Sequence, residues 1–96
     1  MTDQEEYERM VSREIEEYRD KLASLKARAL VAGPRRRARI FTRIQVLQDM
    51  KERLVRQFED LRNSGGRDWE AQRQALEGTW MQLKSEFRNT AETLGL

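Results

Sequence analysis

The chain contains no cysteine and no histidine. Without cysteine there is no disulfide, no thiolate metal site and no cysteine nucleophile. Without histidine the commonest general base and transition-metal ligand are also missing. No glycine-rich phosphate loop is present, and the acidic clusters Glu5-Glu6 and Glu16-Glu17 fall on highly charged stretches typical of solvated helix faces. We therefore expect a protein that is not an enzyme and has no cofactor or metal.

Proline and aromatic residues are also scarce, with one proline and 7% aromatic residues in 96 positions. This composition is poor in turn formers and β-formers, and its abundant Glu, Arg, Gln, Leu and Ala favour helix. No segment approaches the ~20 consecutive apolar residues that cross a bilayer. We expect an all-α protein of one small domain, soluble and cytoplasmic, with no transmembrane segment.

Clustered helix breakers occur at two interior places, Gly33-Pro34 and Ser64-Gly65-Gly66. They divide the chain into three stretches, and we predict helices over about 3–31, 35–63 and 67–93 within a single domain of residues 1–96. Thr2 and Glu5 form a capping box for the first helix. Gly33 suits the left-handed position that ends a helix, and Pro34 suits the first turn of the next one. Ser64 or Gly66 is expected to cap the third helix.

Apolar residues in all three stretches recur at alternating spacings of three and four, which is the ~3.5-residue repeat of coiled-coil packing. These predicted seams run Val11, Ile15, Tyr18, Leu22, Leu25, Ala29; then Ile40, Ile44, Leu47, Leu54, Phe58, Leu61, interrupted by Lys51; then Trp69, Leu76, Trp80, Leu83, Phe87, Leu94, with Arg73 and Thr90 at two further positions. Short connections leave room only for antiparallel neighbours, so we predict an up-down-up three-helix bundle with coiled-coil-like packing.

Six more apolar residues flank these seams, and we expect them to widen the core: Met10, Phe41, Val46, Val55, Ala75 and Met81. One alternative architecture stays open. In a long helical hairpin or a swapped dimer, the third helix would pack on another chain and the same residues would still be buried.

Charge is distributed unevenly along the chain, because no acidic residue lies between Asp20 and Asp49. The basic residues there include a cluster that we name the basic end: Arg35, Arg36, Arg37, Arg39 and Arg43. Arginines at a helix N-terminus oppose the helix dipole, so the stability of their own helix does not explain them. They are candidate contacts for an acidic protein, a nucleic acid or an anionic membrane surface. A solvated, merely tolerated face is the alternative, and a net charge of +2 is small for a dedicated DNA binder.

The third stretch carries the pattern W-E-x5-L-E-x2-W-x2-L-K-x2-F from Trp69 to Phe87. Together with Glu6-Tyr7 and the first seam, this pattern resembles a family of small bacterial coiled-coil proteins described as stress-response proteins. The chain departs from that family at Gly33-Pro34-Arg35-Arg36-Arg37. The resemblance implies no catalytic residue and no cofactor. We accordingly expect a helical binding or scaffolding protein acting through protein–protein contacts or self-association, with anion-directed binding through the basic end as the alternative.

Overall fold

A computed structural model describes residues 3–95. It contains three α-helices, α1 (Asp3–Leu30), α2 (Pro34–Asn63) and α3 (Trp69–Leu94), in an all-α three-helix arrangement. The observed ends at residues 3 and 63 match the predicted ones, and the other four differ by one or two residues. Of the predicted capping box, Thr2 lies outside the described residues. The Cα atoms span 49 × 20 × 18 Å, so the molecule is a rod about as long as its helices.

The helix ends follow local chemistry, with two corrections to the sequence prediction. Gly33 does not end α1 in a left-handed conformation; it is extended, with φ −63° and ψ 160°, and is the N-cap residue of α2 ahead of Pro34. Neither Ser64 nor Gly66 caps α3. The N-cap residue of α3 is Asp68, a non-glycine residue with φ 51°, whereas the Ser64 hydroxyl donates to Leu61 O at 2.8 Å at the end of α2. Gly65 and Gly66, with φ 64° and 91°, supply the positive φ angles that reverse the chain.

The core is built from the predicted seams. Every α1 and α2 seam residue is buried except Lys51, which is half-buried. In α3, Leu76, Thr90, Leu83 and Leu94 are buried, while its three aromatic residues are only half-buried and pack against the core. The heptad-like spacing therefore identifies the buried stripe of each helix.

The flanking apolar residues do not widen this core, contrary to the sequence prediction. Val55 alone is half-buried and packs on the core. The other five are exposed: Met10, Phe41, Val46, Ala75 and Met81. The bundle is too narrow to enclose them, because each helix buries only the stripe that faces its neighbours.

The three helices do not pack with equal closeness. Helix α2 packs against both α1 and α3 along its length, whereas no described Cα atom of α1 comes within 8 Å of one of α3. Since α1 and α3 run parallel on either side of α2, the space between them is bridged by side chains alone. This leaves one long side of the rod open.

Candidate binding surfaces

The open side of the rod forms what we call the α1/α3 groove. Three consecutive depressions of about 270, 350 and 260 Å³ follow it between α1 and α3. Apolar and aromatic side chains line its floor, mainly Ile15, Tyr18, Leu76, Trp80 and Phe87. Its rims carry, on α1, Met10, Glu14, Glu17, Lys21 and Arg28 and, on α3, Glu77, Met81, Lys84 and Arg88.

Aromatic contacts hold α1 and α3 apart. Tyr18 meets Trp80 with ring centroids 5.8 Å apart and planes at 71°, and it meets Phe87 at 5.6 Å and 68°. Near the start of both helices, Tyr7 meets Trp69 at 5.6 Å and 76°. All three pairs are edge-to-face, the arrangement that the ring quadrupoles favour. These large rings set a helix separation that smaller side chains would not maintain.

Two methionines on opposite rims leave apolar surface in solvent. Met10 on α1 is 42% exposed and Met81 on α3 is 71% exposed, and both border the same depression. Methionine is flexible and polarisable, and it is common on surfaces that bind other helices. The groove therefore combines an aromatic floor with adaptable apolar rims.

The charged residues of the rims are sorted by sign along the groove. The acids Glu14, Glu17 and Glu77 lie toward the N-terminal ends of α1 and α3. The bases occupy the other half: Lys21, Arg28, Lys84 and Arg88. Because α1 and α3 are parallel, both rims change sign in the same direction.

Several polar atoms of the groove floor are buried without a hydrogen-bond partner. They are the Tyr18 hydroxyl and the indole Nε1 atoms of Trp69 and Trp80. Burial raises the pKa of the Tyr18 phenol, and burial together with the charge of neighbouring Glu77 raises the pKa of Tyr7 to about 12. Both phenols are thus neutral at physiological pH, and their hydroxyls are donors and acceptors beside an apolar surface.

Cationic side chains cover the outer faces of the two tryptophans. The Lys84 ammonium lies 5.1 Å from the Trp80 ring centre, and the Arg73 guanidinium lies 5.7 Å from the Trp69 ring centre. Arg73 also pairs with Glu70 and, at 3.0 Å, with Glu77. Because Glu70 and Glu77 outnumber Arg73, this part of α3 has a net negative charge, the same sign as the acidic half of the groove.

At the basic end, two of the five arginines have structural partners that the sequence did not reveal. Arg36 donates to Leu94 O at 2.6 Å, and Arg37 donates to Leu30 O at 3.1 Å and Ala32 O at 3.3 Å. Leu94 and Leu30 are the last residues of α3 and α1, and Ala32 follows α1 in the turn. At such helix ends, orphan acceptors and the negative pole of the dipole favour cations. The arginines oppose the dipole of α2 but stabilise its two antiparallel neighbours. Stabilisation of the C-terminal ends of α3 and α1 thus explains the presence of Arg36 and Arg37.

The other three arginines of the basic end remain free. Arg35, Arg39 and Arg43 have no hydrogen-bond or ion-pair partner within the described range 3–95. Arg35, Arg36 and Arg39 border a shallow depression of about 350 Å³ beside Thr93. All five lie within the first three turns of α2.

Lys51 is the one charged interruption of the α2 seam. Partial burial and the nearby cations Arg19 and Lys26 lower its pKa from the usual 10.5. Its half-buried side chain interrupts the apolar stripe of α2 between Leu47 and Leu54.

No group of three or more His, Cys, Asp or Glu side chains that could hold a metal ion occurs among residues 3–95. Over the same range, none of the helices is long and apolar enough to span a membrane. Comparison with protein-family models, curated proteins and solved structures finds no match to this chain. The resemblance to the bacterial stress-response family therefore stays a prediction.

Sequence reasoning placed Met10 and Met81 in the core and thereby missed the α1/α3 groove. The spacing carried no signal of it, because Met10 is the one apolar residue in the flanking series Met10, Glu14, Glu17, Lys21, Ser24 and Arg28 of α1. A stripe of charged residues at this spacing is typical of any solvent-exposed helix face.

Proposed function

We propose that this protein is a non-enzymatic helical binding module that acts through protein–protein contacts at the α1/α3 groove. The single observation that carries the proposal is the open side between α1 and α3, with its half-buried aromatic floor and exposed Met10 and Met81. A setting in bacterial stress physiology, which the family resemblance implies, is part of the same proposal.

The physical argument rests on what the groove leaves unsatisfied. When a partner covers exposed apolar surface, the complex is stabilised by roughly 25 cal/mol for each Å² removed from water. Aromatic residues and methionine are the side chains enriched at protein interfaces. The groove offers both, whereas the outward face of α2 is dominated by charged side chains.

Site-specific photo-crosslinking tests the proposal. Benzoylphenylalanine is placed at position 10 or 81 on the groove rims and, as a matched control, at position 46. Val46 is 43% exposed, close to the 42% of Met10, but lies on α2 away from the groove. We expect discrete adducts with a protein chain, in lysate of the source cells or with the purified protein, from the rim positions only. Equal labelling from position 46, or no adduct from either rim, would contradict the proposal.

A second candidate function is anion-directed binding through the basic end to nucleic acid or a membrane surface. The free guanidinium groups of Arg35, Arg39 and Arg43 support it. The test is fluorescence anisotropy with labelled duplex and single-stranded nucleic acid, and co-sedimentation with anionic vesicles, at low and physiological salt. Replacing Arg35, Arg39 and Arg43 with Ala spares the Arg36 and Arg37 hydrogen bonds. Binding that falls steeply with salt and vanishes in this variant would establish the function, whereas no binding at low salt would exclude it.

A further inference from the structure

We infer that the occupant of the α1/α3 groove is the groove of a second copy of this chain, docked antiparallel about a two-fold axis that passes near Met81. The inference rests on the proposed function for its surface and adds the identity of the partner. It is carried by the arrangement of charge along the rims and by the size of the open side.

The level of each rim residue along the rod follows from the aromatic pairs. Because Tyr18 lies between Trp80 and Phe87, it is approximately level with Leu83, two residues beyond Met81. Every acid that lines the groove lies on the N-terminal side of that level, and every base that lines it lies on the C-terminal side. A two-fold axis perpendicular to the helices at this level superimposes the acidic half of one copy on the basic half of the other.

The individual positions match this operation. Glu77 and Lys84 flank this level on α3, and Glu17 and Lys21 flank it on α1. Rotation therefore places Glu77 opposite the segment of the second copy that carries Lys84 and Arg88, and Glu17 near its Lys21. An isologous interface requires that residue i meets j while j meets i, and the groove has this property in its charges. A parallel arrangement would instead place acid against acid and base against base.

The apolar residues fit the same arrangement. Met81, 71% exposed, lies close to the axis and would meet its own symmetry copy over the Tyr18–Trp80 pair. The helices α1 and α3 of both copies then enclose the two aromatic floors in the manner of a four-helix bundle. A side of the rod measuring 49 by 20 Å is large enough for the ~800 Å² per partner that a standard stable interface buries.

The test is a charge swap read by sedimentation equilibrium and light scattering. Wild-type protein is expected at twice the 11.5 kDa of one chain. One variant, Glu17→Lys with Glu77→Lys, has a basic groove, and the other, Lys21→Glu with Lys84→Glu, has an acidic groove. Each alone is expected to be monomeric, and equimolar mixing is expected to give a heterodimer. Matched controls carry the same charge changes on the exposed face of α2, as Glu59→Lys with Asp60→Lys or Arg53→Glu with Arg56→Glu, and remain dimeric.

A monomeric wild type from micromolar to millimolar concentration would overturn the inference, and so would a dimer that persists in both variants or variants that fail to pair on mixing. These outcomes concern the second copy alone. The proposed function is judged separately by whether the rim positions crosslink to any protein chain, a second copy or a different protein. As a measurement that needs no charge change, Met81→Cys in this cysteine-free chain is expected to form an intermolecular disulfide much faster than Val46→Cys, since only position 81 meets itself at the axis. Equal rates would contradict the proposed axis.

Discussion

The rings of Tyr18 on α1 and Trp80 on α3 pack edge-to-face, with their centroids 5.8 Å apart. The backbones of these two helices lie further apart than those of α1 and α2 or of α2 and α3. An aromatic pair of this kind contributes roughly 0.5–1.5 kcal/mol beyond its buried area. The same contact fixes the relative level of α1 and α3 and provides the floor of the groove. It thus links the packing of the monomer to the surface that we propose binds protein.

The Tyr18 hydroxyl is buried with no hydrogen-bond partner, so Tyr18→Phe is expected to stabilise the fold. Phenylalanine keeps both ring contacts and removes a buried polar group whose desolvation costs about 1–3 kcal/mol. We expect a gain of about 1 kcal/mol in the unfolding free energy from urea titration. Tyr7→Phe is the contrasting variant, with a small loss expected because the Tyr7 hydroxyl interacts with the Glu77 side chain. A loss of stability in Tyr18→Phe would show that the hydroxyl has a partner.

Arg36 and Arg37 are expected to contribute to stability, while Arg35 is not. Arg36→Ala and Arg37→Ala each remove hydrogen bonds to C-terminal carbonyls of α3 or α1 and are expected to lower the unfolding free energy by about 0.5–1.5 kcal/mol. Arg35→Ala removes no such bond and is expected to change it by less than about 0.5 kcal/mol. Thermal unfolding followed by circular dichroism ranks the three variants. Equal effects would contradict a capping role.

Gly78 lies within α3, and a Cβ atom added there would have no neighbouring atom within 4 Å. Gly78→Ala is therefore expected to raise the unfolding free energy by about 1 kcal/mol through helix propensity alone. Gly66→Ala is the contrasting variant: with φ +91°, this position strains any side chain, and we expect a loss of about 1–2 kcal/mol. Chemical denaturation of both variants checks the two signs, and the same sign for both would refute the turn and helix assignments.

Lys51 makes the stability depend on pH in a defined direction. Its folded pKa is lower than the 10.5 of the unfolded chain, so the unfolded state binds more protons between the two values. The contribution of Lys51 to stability therefore rises as pH increases toward 10.5. Lys51→Met is expected to stabilise the protein by about 1 kcal/mol at neutral pH through added apolar burial. Its unfolding free energy should rise less steeply with pH than that of wild type; parallel profiles would contradict the assignment.

The buried stripe of each helix was predictable because it depends on local spacing. Leu47 and Leu83 occupy seam positions, and both are fully buried. Met10 and Met81 could not be placed in the same way. Their spacing fits either a wider core or a second exposed stripe, and the choice depends on how far the Tyr18–Trp80 contact separates α1 from α3.

The basic end shows a different limit of sequence reasoning. The sequence predicts that its arginines oppose the dipole of their own helix, and they do lie at the N-terminal end of α2. Their stabilising partners, the carbonyls of Leu30 and Leu94, belong to helix ends that only antiparallel packing brings alongside. The sequence alone also does not decide the conformation of Gly33, because a glycine before Pro34 suits a helix end or a helix start equally well. In the structure it is the extended N-cap residue of α2.

The most direct measurement is a dilution series that follows the methionine methyl signals by nuclear magnetic resonance, with no substitution needed. Met10 and Met81 lie on the groove rims, whereas Met50 is half-buried on α2 and serves as an internal reference. Self-association through the groove predicts concentration-dependent shifts for Met10 and Met81, largest for Met81, and a constant signal for Met50. Constant signals for all three, or a shift confined to Met50, would contradict the groove as the contact surface between copies.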